Sequence, residues 1–150
     1  MRITLASDHA GFRLKAFLVR HLGEQGHDVT DLGTDSEEPV DYPPLCAAAA
    51  RAVVRGDADL GIVLGGSGQG EAMAANKVRG IRAALCHDEL MARLARQHND
   101  ANVLSLGGRL VTETVATGIV QTFLTTPFEG GRHVARLEQL RKIEEEESRR

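Results

Sequence analysis

At 150 residues, 42% of them apolar, the chain is one domain long and can bury a real core, which excludes a disordered segment. Eighteen basic against 21 acidic residues leave a net charge of -3, so composition gives no electrostatic footprint for nucleic acid or an anionic membrane, and any basic site must be local. The opening "MRITLASDHAG" lacks a charged segment followed by an apolar one, and no apolar run approaches the roughly 20 residues needed to cross a bilayer. Cys46 and Cys86 have no CxxC spacing. The expected setting is therefore cytoplasmic, with both thiols reduced.

In chain order, β-rich runs are predicted at 2–7, 28–32, 60–65, 81–86 and 102–107, and helical patterns alternate with them. The first helix carries Leu14, Phe17, Leu18 and Leu22 and should stop near Gly23. The second carries Leu45, Ala48, Ala49, Ala52 and Val53 after Pro43 and Pro44, and should stop near Gly56. A short third helix should begin around Glu71. The fourth carries Leu90, Met91, Leu94 and Ala95, and the fifth Val115, Ala116, Ile119, Val120, Phe123 and Leu124. Strict β/α alternation with short apolar strands predicts a three-layer α/β/α sandwich around a five-stranded parallel Rossmann-like sheet. Residues 128–150 follow the main body, 1–127, as an extra helical arm of the same domain. The arm's stripe of Val134, Leu137, Leu140 and Ile143 needs a surface to lie on, either this chain's own or a second subunit's. Residues 144–150 are expected to fray.

Ligands of doubly wound sheets bind at the carboxyl ends of the strands, near the point where winding reverses. A flavodoxin-like strand order would make the first and third strands neighbours, so that Asp8, His9 and Glu71 share one crevice. The loop "GGSGQGEAMAANK", 65–77, follows the third strand. Its glycines Gly65, Gly66, Gly68 and Gly70 permit positive φ and close backbone approach, and a helix start offers free N–H groups and a positive dipole end. Such a nest takes an anion. A dinucleotide fingerprint fails, because Glu71 stands where its third glycine belongs and would repel a pyrophosphate, although Asp88 lies about where a ribose-binding acid is expected. Glu71 is either a structural acid at a helix N-terminus or a base that creates a transient anion. In the second reading it removes a proton beside a carbonyl, while loop amides and the Ser67 hydroxyl hold the enolate oxygen. The helix dipole would lower its pKa and burial would raise it, leaving the net open.

Elsewhere the residues admit two roles each. Asp8 caps the first helix, faces a ligand, or both. His98, at the end of the fourth helix, satisfies carbonyls or serves a site. Arg132 and Arg136, four apart on one helical face, form with Arg109 and His133 either a phosphate-binding set or a solvated surface. Tyr42 is placed in a loop and lines the crevice or packs. Cys86, His87 and Asp88 make no triad, because adjacent strand residues point to opposite faces. Cys46 falls on a buried stripe, and no metal-ligand spacing occurs.

Six segments in order, "SDHAG" (7–11), "DYP" (41–43), "GGSGQGEAMAANK" (65–77), "GIRAALC" (80–86), "RQHNDANVLSLGGR" (96–109) and "EGGRHVARL" (129–137), resemble the ribose-5-phosphate isomerase B family, which also includes galactose-6-phosphate isomerase subunits. The resemblance implies aldose-ketose isomerisation of a sugar phosphate through ring opening and a cis-enediolate, with no metal and no cofactor. It implies that Ser67 and the Gly66, Gly68, Gln69 and Gly70 backbone bind the enediolate, and that His98 with Asp8 opens the ring. His9, Arg109, Arg132, His133 and Arg136 are implied phosphate contacts, and Asn99 and Tyr42 line the substrate. The family builds its site between two subunits, which implies a homodimer, or a tetramer of such pairs. Many members carry a cysteine base where this chain has Gly65; the resemblance here is to the branch with glutamate at position 71. Ribose 5-phosphate is the expected substrate, with tetrose or hexose phosphates (the erythrose 4-phosphate, allose 6-phosphate and galactose 6-phosphate types) as near alternatives and a nucleotide-binding module as the rival of another class.

Overall fold

A computed structural model describes residues 1–150. Five parallel strands, β1 (Arg2–Ser7), β2 (Asp28–Asp31), β3 (Leu60–Gly65), β4 (Ala83–Leu85) and β5 (Val103–Gly107), form one sheet in the order β2-β1-β3-β5-β4. The helices are α1 (Phe12–Glu24), α2 (Tyr42–Val54), α3 (Gln69–Asn76), α4 (Glu89–Asn99), α5 (Glu113–Thr125) and α6 (Arg132–Glu147). Alternation along the central strands sorts the core into two layers. Ile3, Leu5, Ile62, Leu64, Leu104 and Leu106 face α1, α4 and α5, whereas Ala6, Val63 and Val103 face α2 and α3. The expected three-layer architecture is thus present. No helix is long and apolar enough to cross a membrane.

β1 and β3 are neighbours, as expected, but β5 rather than β4 lies next to β3. That placement departs from a flavodoxin-like order and brings Gly108 and Arg109 to the loop after β3. Winding reverses between β1 and β3, which makes their carboxyl ends the crevice position.

Several boundaries differ from the pattern reading. β4 is only Ala83–Leu85; before it Arg82 N–H turns to the Asn102 side chain, donating to Oδ1 at 2.8 Å, while Arg82 O still accepts from Asn102 N–H at 3.0 Å. α1 runs through Gly23, and Gly26, at φ +88, follows its end. Tyr42 is the first residue of α2 rather than a loop residue, because Pro43 and Pro44 sit in the first turn, where a missing N–H costs nothing. Asp88 caps α4, accepting from Met91 N–H at 2.7 Å, so it is committed to the helix and not to a ribose. The α4 stripe is also displaced. Ala92 and Ala95 are buried while Leu90, Met91 and Leu94 are exposed.

Sequence pattern gave no sign of Lys15, whose side chain is wholly buried and donates to both oxygens of Asp31 at 2.7 and 2.8 Å, tying α1 to the end of β2. The arm is helical to Glu147, beyond where fraying was expected, and returns to its own chain through Gly80 N–H to Glu144 and Arg79 to Glu145. Its Val134, Leu140 and Ile143 remain exposed. The arm and α4 thus leave two apolar faces uncovered.

Candidate active site

A crevice of about 450 Å3 opens at the carboxyl ends of β1, β3 and β5. Asp8 and His9 come from the turn after β1, Gly66, Ser67, Gly70 and Glu71 from the loop after β3, Arg109 from the turn after β5, and Tyr42 from the start of α2. Leu110 and Ala10 complete the lining, and neither has a polar side chain that would have singled it out. A second cavity, of about 360 Å3 and lined by Phe128, Val134, Leu137 and Leu140 among others, is the gap beneath the arm and gathers no catalytic set.

The loop glycines serve space more than dihedral freedom. Only Gly68 has positive φ, +78, and a Cβ there would lie 2.6 Å from Leu85 Cδ1. A Cβ at Gly65 would fall on the Glu71 carboxylate, one at Gly66 would come 3.1 Å from Arg109 Nη1, and one at Gly70 would fall on the Tyr42 ring and hydroxyl. Three glycines therefore make room for three side chains of the crevice. Gly68 itself is turned toward β4 and β5, and the Gln69 side chain is exposed on the first turn of α3; neither lines the crevice. Ser105, which no motif singles out, lies buried in β5 and donates its hydroxyl to Gly68 O at 2.7 Å, fixing the loop's left-handed residue.

Glu71 is 4% exposed, and its Oε2 has no hydrogen-bond partner. Burial raises its pKa above the usual glutamate value, nearby Asp8 adds to the rise, and the amides of Glu71 and Gly68 oppose it without reversing it. The sign left open by the sequence is therefore upward. Ser67 Oγ accepts from Gln69 N–H at 3.3 Å, which leaves its own proton free to donate. The backbone amides of Gly66 and Ser67 make no hydrogen bond within the chain. Together they amount to an acid beside unspent donors.

Asp8 is buried, and Oδ1 accepts from Ala10 and Gly11 N–H at 2.9 and 3.1 Å. It secures the turn before α1 from inside the crevice but does not cap the helix as expected: the N-cap is Gly11, with no side-chain bond to the first helical amides, because Asp8 lies three residues too early. His9 Nδ1 accepts from Val40 N–H at 3.1 Å, so the neutral ring carries its proton on Nε2. Both cysteine thiols are buried and pushed up to about 12, Cys46 by burial, Glu71 and Asp8, and Cys86 by burial and Asp88. Neither supplies a thiolate near neutrality.

The remaining candidates form a separate group. His98 stacks on His133 with ring centroids 4.3 Å apart, beside Glu129. Carbonyls at the end of α4 are met by Arg82, at Asn99 and Asp100, and by Glu129 N–H, at Gln97, which removes the capping role considered for His98. Arg132 and Arg136 are exposed in the first turns of α6 without a carboxylate partner, and Asn99 is exposed at the end of α4. None of these five residues lines the crevice of its own chain.

The family model described as Ribose/Galactose Isomerase matches residues 3–140. The chain is 46% identical over 144 residues to ribose-5-phosphate isomerase B of Escherichia coli, covering 96% of this chain and 97% of that one. It is 47% identical over 146 residues to the Mycolicibacterium paratuberculosis protein of the same name, covering 96% and 92%. Among solved structures, ribose-5-phosphate isomerase B of Clostridium thermocellum superposes with a TM-score of 0.96 at 46% identity, over 97% of this chain and 99% of that one. The Mycoplasma genitalium enzyme, solved with bound ribulose-5-phosphate, gives 0.91 at 44% identity, over 96% of each chain.

Proposed function

The chain belongs to the ribose/galactose isomerase family, and we propose that it interconverts ribose 5-phosphate and ribulose 5-phosphate with Glu71 as the base. The observation that carries the assignment of the base is a buried carboxyl group whose pKa burial raises and whose Oε2 lacks a partner, next to the free Gly66 and Ser67 amides and the Ser67 hydroxyl.

Ring opening moves the proton of the C1 hydroxyl away while the ring oxygen gains one, leaving an aldehyde at C1. His98 and Asp8 handle these protons. Glu71 then takes the proton from C2, and the electron pair forms the C1–C2 double bond as negative charge collects on O1. Ser67 and the loop amides hold that oxygen, each such donor being worth roughly 10² to 10³ in rate. Glu71 returns its proton to C1, and the O2 proton moves to O1, giving the ketose. A raised pKa suits a group that must accept and return one proton near neutral pH.

The phosphate is held by His9, Arg109, Arg132, His133 and Arg136, with Tyr42 and Asn99 along the sugar. The glycine loop is thus left for the transient oxyanion. Because His98, Asn99, Arg132, His133 and Arg136 lie away from their own crevice, they serve the Glu71 of a second subunit in a homodimer. Support comes from the uncovered apolar residues of α4 and α6, on the elements that carry those polar groups. Comparing kcat/KM across four-, five- and six-carbon aldose phosphates tests the substrate. Preference for the pentose is expected, and a tenfold preference for another length would overturn it.

A further inference from the structure

Away from the crevice, the donor atoms of His98, Glu129 and His133 all lie within 4.8 Å of one another. His98 is on the last turn of α4, Glu129 is in the loop before α6, and His133 is on the first turn of α6. Backbone bonds set this arrangement: Glu129 N–H donates to Gln97 O at 3.0 Å, and His133 N–H to Gly130 O at 3.1 Å. His133 is 8% exposed and its Nε2 has no hydrogen-bond partner. That nitrogen lies 3.4 Å from Glu129 Oε2, an ion-pair distance rather than a hydrogen bond, and His98 Nε2 lies 4.0 Å from the same oxygen. One carboxylate oxygen thus stands before two ring nitrogens, one of them buried and unsatisfied.

We propose that His98, Glu129 and His133 bind a divalent transition metal ion, with Zn2+ the best chemical match, and that the bound ion withdraws His98 from the reaction. Two imidazole nitrogens and a carboxylate oxygen are a three-ligand zinc set that leaves a fourth position for water. Mg2+ and Ca2+ prefer oxygen donors throughout. Zinc bonds of about 2.0–2.2 Å place two ligand atoms of a tetrahedral ion about 3.3 Å apart, so closing the set around His133 requires the His98 ring to turn out of its stack and Glu129 to draw in. Both adjusting side chains are partly exposed, at 35% and 49%.

Isomerisation as described above uses no metal, so the ion is an inhibitor. An imidazole nitrogen bound to zinc neither accepts nor donates a proton. This consequence rests on the role given to His98, whereas metal binding itself does not.

Co2+ titrated into chelator-treated full-length protein is expected to give the visible ligand-field bands of a four-coordinate nitrogen and oxygen site, saturating at one ion per chain and displaced by Zn2+. Glu129→Gln and, separately, His133→Gln should each weaken binding by more than about tenfold. Zn2+ should abolish turnover, a chelator should restore it, and Glu129→Gln should keep its turnover when Zn2+ is added. Absent bands, a sulfur-to-metal charge-transfer band, or binding untouched by both substitutions would overturn the site. Zn2+ that binds through Glu129 and His133 without slowing turnover would overturn the inhibition and the role of His98, while the site would stand.

Discussion

The space that a side chain at position 65 would need is filled by the carboxylate of Glu71. Gly65 has no positive φ, so its backbone conformation does not demand glycine; the neighbouring acid does. Base and glycine are therefore one feature. A cysteine at 65 and a carboxylate seated as here exclude each other.

Gly65→Ala should accordingly displace the carboxylate and lower kcat by about 10² to 10⁴, the usual worth of a positioned base. Overpacking typically costs about 1–3 kcal/mol against a total stability of about 5–15 kcal/mol, so the variant should remain folded. Combining Gly65→Cys with Glu71→Ala frees the space for a thiol, and the double variant should turn over faster than Gly65→Cys alone. Near-normal kcat in Gly65→Ala would show that the acid works from another position.

Glu71→Gln keeps the shape and removes the charge. It should lower kcat by a similar 10² to 10⁴ while sugar phosphate still binds. Its effect on stability has the opposite sign. Because the folded pKa of Glu71 lies above the unfolded one, the native state holds the extra proton between the two values, and stability falls as pH rises through that window. Above the window the full penalty for the buried charge persists. Glu71→Gln should thus melt higher than the parent at neutral pH, with the difference closing as pH falls to about 4. The acid limb of the parent's kcat/KM should fall above the ordinary glutamate range. A lower melting temperature for Glu71→Gln at neutral pH would contradict the burial account.

The architecture was legible because apolar runs and helical stripes alternate strictly, and the position of the crevice followed from β1 and β3 being neighbours. Strand order beyond β3 was not legible, since nothing local states which strand crosses over which. The α4 stripe misled for a physical reason. Leu90, Met91 and Leu94 have helical spacing, yet the small alanines Ala92 and Ala95 are the residues buried against the body, and the larger side chains stay exposed. Glu71, Ser67, Asp8, His9 and Arg109 were identifiable from motif and position. Ser105 and Lys15 were not, because a serine in an apolar strand and a lysine in an amphipathic helix show their partners only once the chain is folded. Glu129 left a trace in its spacing of four from His133, but His98 joins them only through tertiary structure.

Ser105→Ala should separate positioning from binding. The hydroxyl's bond to Gly68 O is buried, so its loss should destabilise the protein by about 1–3 kcal/mol. The loop that carries Ser67 and Glu71 should then loosen, and kcat should drop several-fold with KM nearly unchanged, because the proposed phosphate contacts lie elsewhere. A change confined to KM would place Ser105 in substrate binding instead.

Mixing two inactive variants tests the shared site most directly. Glu71→Gln spoils the crevice of its own chain, and His98→Gln spoils the group offered to the partner. In a hybrid dimer one site carries both defects and the other carries neither. Co-refolding equal amounts should give hybrids in half the dimers, each with one intact site in two, and so restore about a quarter of parental activity. If each chain completed its own site, every site in the mixture would carry one defect and activity would stay at the level of the separate variants. The restored fraction therefore decides whether His98 acts across the interface, a question that the monomer's geometry raises by placing His98 beside His133 and outside the crevice that holds Glu71.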